Sequence, residues 1–275
     1  MLASIFYQFE RITMKPFFNF FGADIPLYGT LIVSAYLIGV VIAIGIARKY
    51  TLPKEDIVFV STYAAIGLLV GAKILYFIAL LPKLSGHFDL LFKYPAEFLS
   101  FAFGGYVFYG GFLGVILGVW IYCRRYQVSK MVMVNCLIPV VPFIHSIGRI
   151  GCFMAGCCYG MEYHGPFSIH FPVNEISPEL NLVPRFPVQL LESGLNMLLF
   201  VALMIYGKKK RQDAKMMGFY LICYSIMRFT LEFLRGDIIR GQFVGLTTSQ
   251  WVSLFLLPAG IYLMFRKYKV DYVVA

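Results

Sequence analysis

Long apolar blocks separated by short polar breaks make up almost the whole chain. Seven blocks stand out, at roughly 27–47, 57–81, 105–122, 132–148, 188–206, 217–235 and 248–265. Crossing the hydrocarbon core of a bilayer takes about 20 apolar residues in a helix, which satisfies its own backbone hydrogen bonds. The pattern therefore predicts an all-α integral membrane protein of seven transmembrane helices. Residues 1–275 are expected to form a single polytopic domain, because the breaks are too short for separate soluble domains. The longest break, at about 149–187, is expected to be an extracytoplasmic loop. The fourth block is short and carries Pro139 and Pro142. A proline removes a backbone N–H, so this helix is expected to be kinked or broken beside a polar cavity. The first 26 residues hold Glu10, Arg11, Lys15 and Asp24 and no compact apolar core before a small-residue cleavage site, so they read as an interfacial segment and not a signal peptide.

Composition agrees with the pattern. Hydrophobic residues are 60% and charged residues 14%, with a mean hydropathy of +0.76; soluble domains run near 45–50% and 25%. The net charge of +10 would suggest nucleic-acid binding in a soluble protein. Its placement says otherwise. With the loop after the first block inside, 14 of the 24 Lys and Arg fall on one side, in clusters such as Arg48–Lys49, Arg124–Arg125 and Lys208–Arg211. Only Arg11, Lys15, Lys83, Lys93, Arg185 and Arg240 fall in the opposite loops. The positive-inside bias gives an outside amino terminus and a cytoplasmic carboxyl terminus.

Against this apolar background, charged residues inside the blocks stand out. Lys73, Glu192, Arg228 and Glu232 lie within or near the ends of blocks, where a charge costs on the order of 2.5–3.5 kcal/mol at mid-membrane. Each invites a functional reading, with boundary snorkelling or structural pairing as the alternative. In "YSIMRFTLEFLR", Tyr224, Arg228, Glu232 and Arg235 follow at steps of four, four and three, one stripe of a helix. An arginine fork on such a stripe suits a phosphate, and the local phosphate is a lipid headgroup. In "GGYVFYGGFLG", Gly110, Gly114 and Gly118 recur every four residues. That spacing suits close helix packing, while the bare backbone around Tyr109 and Gly110 also suits a ligand.

The fourth block runs into "HSIGRIGCFMAGCCYG", His145 to Gly160. Its glycines at 148, 151, 156 and 160 imply a tight loop at the outer face that begins at Arg149. Cys152, Cys157 and Cys158 leave three readings open. A disulfide is favoured on the oxidising side, ahead of a catalytic thiolate beside Arg149 and of a metal site, for which the C-x₄-C-C spacing is a weak match. Cys123, Cys136 and Cys223 read as inert filler of the blocks.

These residues resemble the prolipoprotein diacylglyceryl transferase family. "GRIGCFMAGCCYG" is similar to that family's signature G-R-[IL]-G-N-F-x-N-G-E-x-x-G, and "LYGTL", "GAKILY", "GGYVFYGG", "RFPVQLLE" and "YSIMRFTLEFLR" agree in order and spacing across nearly the whole chain. The resemblance implies seven helices around a lipid-binding cavity in a bacterial plasma membrane. It implies transfer of the diacylglyceryl group of phosphatidylglycerol to a lipobox cysteine of a preprolipoprotein, with release of glycerol phosphate and with no cofactor or metal. It also implies phosphate-holding roles for Arg149 and Arg228, cavity roles for Tyr28, Tyr224, Glu232 and Arg235, and the closing position of the signature for Gly160.

Three positions depart from the family. Tyr109 stands where the family has histidine, and Cys152 and Cys157 stand where it has asparagine and glutamate. Tyrosine, with an unperturbed pKa near 10, is a poor base at neutral pH. Glu192 and Glu232 are then the candidate carboxylates, alongside a cysteine. His145 matches no motif, and His164 and His170 read as loop surface. The alternative functions are a family member that binds or presents lipid without transfer, one that exchanges thiols with an exported partner, and a transporter.

Overall fold

The computed structural model describes residues 16–84, 93–96, 104–171, 182–211, 213–236 and 242–266. The expected interfacial start, up to residue 15, lies outside them, as do Arg240, Lys267, Lys269 and residues 172–181 of the long loop. A hairpin, β1 (Phe17–Phe20) and β2 (Ala23–Pro26), leads into α1 (Leu27–Ala47). Its two-residue turn, Phe21–Gly22, has positive φ at both positions, as a type I′ turn requires. Then follow α2 (Lys54–Leu84), α3 (Phe108–Arg125), α4 (Lys130–Leu137), α5 (Val140–Ala155), α6 (Val188–Tyr206) and α7 (Lys215–Leu231). A 3₁₀ turn (Glu232–Leu234), a short hairpin of β3 (Gln242–Phe243) and β4 (Leu246–Thr247), and α8 (Thr248–Phe265) complete the described chain.

Six stretches are long and apolar enough to cross a membrane: Leu27–Tyr50, Lys54–Pro82, Lys130–Ala155, Val188–Tyr206, Lys215–Leu234 and Thr248–Phe265. The chain is an all-helical integral membrane protein. α3 is not among the six; its 18 residues end on Arg124 and Arg125. The helices are inverted relative to a soluble protein. Leu37, Val41, Leu69, Leu198 and Phe255 are exposed, while Asn135, Gln189, Glu192, Asn196 and Arg228 are buried. That distribution suits a lipid surround, where apolar side chains face out and polar ones face protein.

The described residues divide into two compact units. In the one from Ile46 to Met133, α2 and α3 pack along a seam of glycines. A Cβ on Gly67 or Gly114 would run into the backbone carbonyl of the other, and Gly71 and Gly110 oppose each other in the same way. Lys73, a candidate functional charge in the sequence, donates to the Gly105 carbonyl at 3.1 Å and lies over the Tyr106 ring. That satisfies the pairing alternative.

The other unit holds the described residues to Gly45 and from Val134 onward. Its α4 and α5 form the expected broken helix. Pro139 stands at the break, and Pro142 falls in the first turn of α5, where a helix needs no N–H. Asn135, fully buried at the end of α4, donates to the carbonyls of Arg211 and Asp213. α5 and α6 are tied by two reciprocal bonds of 2.9 Å, Ser146 Oγ to the Ser193 carbonyl and Ser193 Oγ to the Ser146 carbonyl.

Candidate functional site

α5 runs to Ala155, so Arg149 and Cys152 stand on a helix, a correction to the outer loop expected to begin at Arg149. Gly148 and Gly151 are packing positions: a Cβ there would press on Ile32 and on Tyr28 respectively. Tyr28, at the start of α1, thereby lies against the signature segment. The helix stops only at Gly156, which takes φ 67. Its N–H donates to the Phe153 carbonyl at 3.2 Å and the next N–H, of Cys157, reaches the Cys152 carbonyl at 3.1 Å. This is a Schellman cap, whose geometry brings the side chains at its two ends, here Cys152 and Cys157, to the same place.

Glu192, buried at the first turns of α6, is the hub. Arg149 Nη2 lies 3.0 Å from its Oε1, His145 Nε2 3.3 Å from the same oxygen, and Arg235 Nη1 3.9 Å from Oε2. Arg149 Nε also donates to His145 Nε2 at 3.2 Å. His145 Nε2 thus faces both a guanidinium N–H and a carboxylate oxygen. Should Nε2 take a proton, the Glu192 carboxylate is in place to stabilise the imidazolium. The His145 ring packs at 5.9 Å against Tyr224, tilted by 48°, and Tyr224 stacks in turn on Tyr220.

The stripe read from the sequence converges here, with one change. Tyr224 and Arg228 lie on α7 and Glu232 on the 3₁₀ turn, but Arg235 has left the helix and takes extended backbone. It pairs there with Gly160, so that Gly160 is squeezed between the backbones of Phe186 and Leu234. Gly160 therefore welds the loop to the end of α7. Arg228 Nη2 is 2.6 Å from Glu232 Oε2 and donates to Ser249 Oγ at 2.9 Å. Arg228 Nη1 is buried with no hydrogen-bond partner.

All six cysteines are thiols, which corrects the expected disulfide. The Sγ atoms of Cys152, Cys157 and Cys158 lie within 4.8 Å of one another. Hydrogen bonds with the Cys152 and Cys157 thiols, helped by Arg149 and Arg235, hold the Cys158 thiol below its ordinary value, while the same cluster pushes Cys157 up. Tyr109 and Gly110 belong to the other unit, Tyr109 in the first turn of α3 against Phe108 and Gly110 in the glycine seam. His164 is exposed on the loop, as expected, and so is His170. The sequence reading missed His145. Its i,i+4 spacing to Arg149 was the available signal.

Three arginines (149, 228 and 235) and two carboxylates (192 and 232) are thus gathered among helices that otherwise face lipid, leaving one positive charge in excess. Such a cluster, set among apolar helices with one excess positive charge, can hold an anion. The sequence model of the prolipoprotein diacylglyceryl transferase family matches residues 15–266, and the chain belongs to that family. It is 31% identical over 259 residues to the phosphatidylglycerol–prolipoprotein diacylglyceryl transferase of Clostridium tetani, covering 92% of this chain and 100% of the relative. It is 34% identical over 247 residues to transferase 2 of Clostridium perfringens, covering 88% and 91%. With the transferase of Idiomarina loihiensis it shares 30% identity over 275 residues, 98% of each.

Proposed function

We propose that this chain transfers the diacylglyceryl group of phosphatidylglycerol to the thiol of a lipobox cysteine in a prolipoprotein, in a bacterial plasma membrane. The observation that carries this reading is Arg228, buried with Nη1 unpartnered in a cluster with one excess positive charge. A phosphodiester monoanion matches both the vacant donor and the charge. Arg228 and Arg149 hold the phosphate and stabilise the charge that grows on it as the C–O bond to the diacylglyceryl group breaks. Glu192 orients Arg149 and His145. His145 Nε2, and not Tyr109, takes the proton of the attacking thiol. Glu232 aims Arg228, while Tyr28, Tyr224 and Arg235 line the substrate. In the same reading α3 is a seventh span, the amino terminus is outside and the carboxyl terminus cytoplasmic, which the clusters Arg48–Lys49, Arg124–Arg125 and Lys208–Arg211 favour.

The test is purified protein in detergent with phosphatidylglycerol and a lipobox peptide, read by mass spectrometry for a diacylglyceryl thioether. Wild type is expected to form it, and Arg228→Ala to be slower by about 10²-fold or more. A folded wild type that retains phosphatidylglycerol yet gives no thioether would overturn the proposal.

A further inference from the structure

The phosphate chemistry above leaves the three thiols at the end of α5 unused. Their arrangement is built by the fold. The Schellman cap at Gly156 superposes Cys152 and Cys157. Cys158 takes φ 56, a left-handed conformation uncommon outside glycine. Gln189 of α6 donates to the Cys157 carbonyl at 2.9 Å and holds the turn down.

We infer that Cys152, Cys157 and Cys158 bind a thiophilic cation, zinc, and leave one coordination position open for the acceptor thiol. The inference rests on the transferase reading for the identity of that fourth ligand. Zinc–sulfur bonds of about 2.3 Å set tetrahedral thiolates about 3.8 Å apart, so a cluster already within 4.8 Å needs only a small contraction. Three thiolates around a dication carry one negative charge. Arg149, with Nη1 3.9 Å from Cys152 Sγ, is placed to balance it. Among the described residues no histidine or carboxylate joins the cluster, and three protein ligands with an open fourth position are the pattern of a reactive site.

A thiol that coordinates such an ion is deprotonated outright. The acceptor cysteine loses its proton to His145 Nε2, and its sulfur lone pair forms a bond to the glyceryl carbon. The C–O bond of that carbon breaks, and its electron pair leaves on the phosphate oxygen as glycerol phosphate. Arg149 bridges the two halves of the step, since its Nε reaches His145 and its Nη1 faces Cys152.

Full-length protein, purified reduced in detergent and stripped with a chelator, is titrated with Zn²⁺ alone and with Co²⁺ as a spectroscopic stand-in. One equivalent of metal and a thiolate-to-cobalt charge-transfer band are expected. Cys157→Ser and Cys158→Ser are each expected to weaken binding at least tenfold with an unchanged melting temperature. Acceptor peptide alone is expected to shift the cobalt spectrum, and its Cys→Ser form to leave it unchanged. Arg228→Ala is expected to keep the metal while losing transfer, which separates this site from the phosphate reading. No stoichiometric metal on wild type, or full retention by the Cys157→Ser/Cys158→Ser double variant, would overturn the site. A cobalt spectrum indifferent to the peptide thiol would overturn its role as the acceptor's ligand. Metal and peptide effects in a wild type that transfers nothing would sink the transferase reading and leave the metal site standing.

Discussion

α2 and α3 meet backbone to backbone, whereas α5, α6 and α7 meet through charge. In the first pair, Gly67, Gly71, Gly110 and Gly114 let the two helices approach until carbonyls face α-carbons, and the seam is backbone packing, with the Tyr122 hydroxyl donating to Asp56 at one end. In the second group, the close approaches are Ser146 to Ser193, Arg149 and His145 to Glu192, and Arg235, just past α7, to Glu192, while Arg228 and Glu232 pair along the end of α7 itself. Both groups hold helices together at similar apolar composition. A glycine seam does so without desolvating a charge, so the five charges of the second group are more than the fold requires. Their retention is what a site for an anion needs.

The sharpest way to break the comparison is to neutralise the hub. Glu192→Gln leaves Arg149 and Arg235, both half-buried, beside a buried uncharged amide. Removing one partner of a buried ion pair costs about 3–5 kcal/mol. The variant is expected to lose transfer and to melt well below wild type, as thermal unfolding in detergent would register. A Glu192→Gln protein with wild-type stability would mean that the charges are solvated and the hub is not one.

His145→Gln separates chemistry from architecture. Glutamine can still hydrogen-bond Arg149 but cannot take a proton. Transfer is expected to fall by about 10²–10⁴-fold, with phosphatidylglycerol retention and melting temperature close to wild type. Unchanged transfer would return the proton to another group, Tyr109 among the candidates.

Much of this was legible in the sequence, and the reasons it ran out are local. Spans 188–206 and 248–265 fall where the apolar blocks placed them, because a helix in lipid ends where its apolar run ends. The break at Pro139 was likewise written in residue chemistry. Arg149 and Cys152 were misplaced because the glycines at 148 and 151 read as loop, while in the fold they are flat spots for Ile32 and Tyr28. Spacing cannot distinguish a glycine that turns the chain from one that receives a neighbour. For the three thiols, the oxidising side favoured a disulfide; that they converge depends on a cap at Gly156 and a left-handed Cys158. Arg235 was read as the last step of a helical stripe but reaches Glu192 from extended backbone, since the helix tightens and ends before it.

The glycine seam should respond to bulk where the polar group responds to charge. Gly114→Val drives side-chain atoms into the Gly67 carbonyl, which as backbone cannot move aside. A loss of about 1–3 kcal/mol is expected, the usual cost of overpacking. Gly194→Ala, on α6 with open space around its Cβ, is expected instead to gain about 0.5–1 kcal/mol from helix propensity. Opposite shifts in melting temperature would confirm that the α2–α3 glycines are there for contact. Similar small shifts in both would remove the distinction.

The smallest effect expected lies where helix ending and site meet. Thr247 caps α8 reciprocally: its hydroxyl accepts from the Gln250 N–H at 3.3 Å, and its own N–H donates to Gln250 Oε1 at 3.0 Å. Two residues on, Ser249 accepts from Arg228 Nη2. Losing an N-cap hydroxyl costs about 1 kcal/mol, so Thr247→Ala is expected to lower the melting temperature slightly. Fraying of the first turn would also loosen Ser249, so transfer is expected to fall severalfold, with the loss in affinity for phosphatidylglycerol and not in the chemical step. Ser249→Ala separates the two contributions, since it keeps the cap and removes only the bond to Arg228. If Thr247→Ala weakens lipid binding as much as Ser249→Ala does, the cap acts on the site through Ser249. If only stability changes, α8 holds Ser249 in place without it.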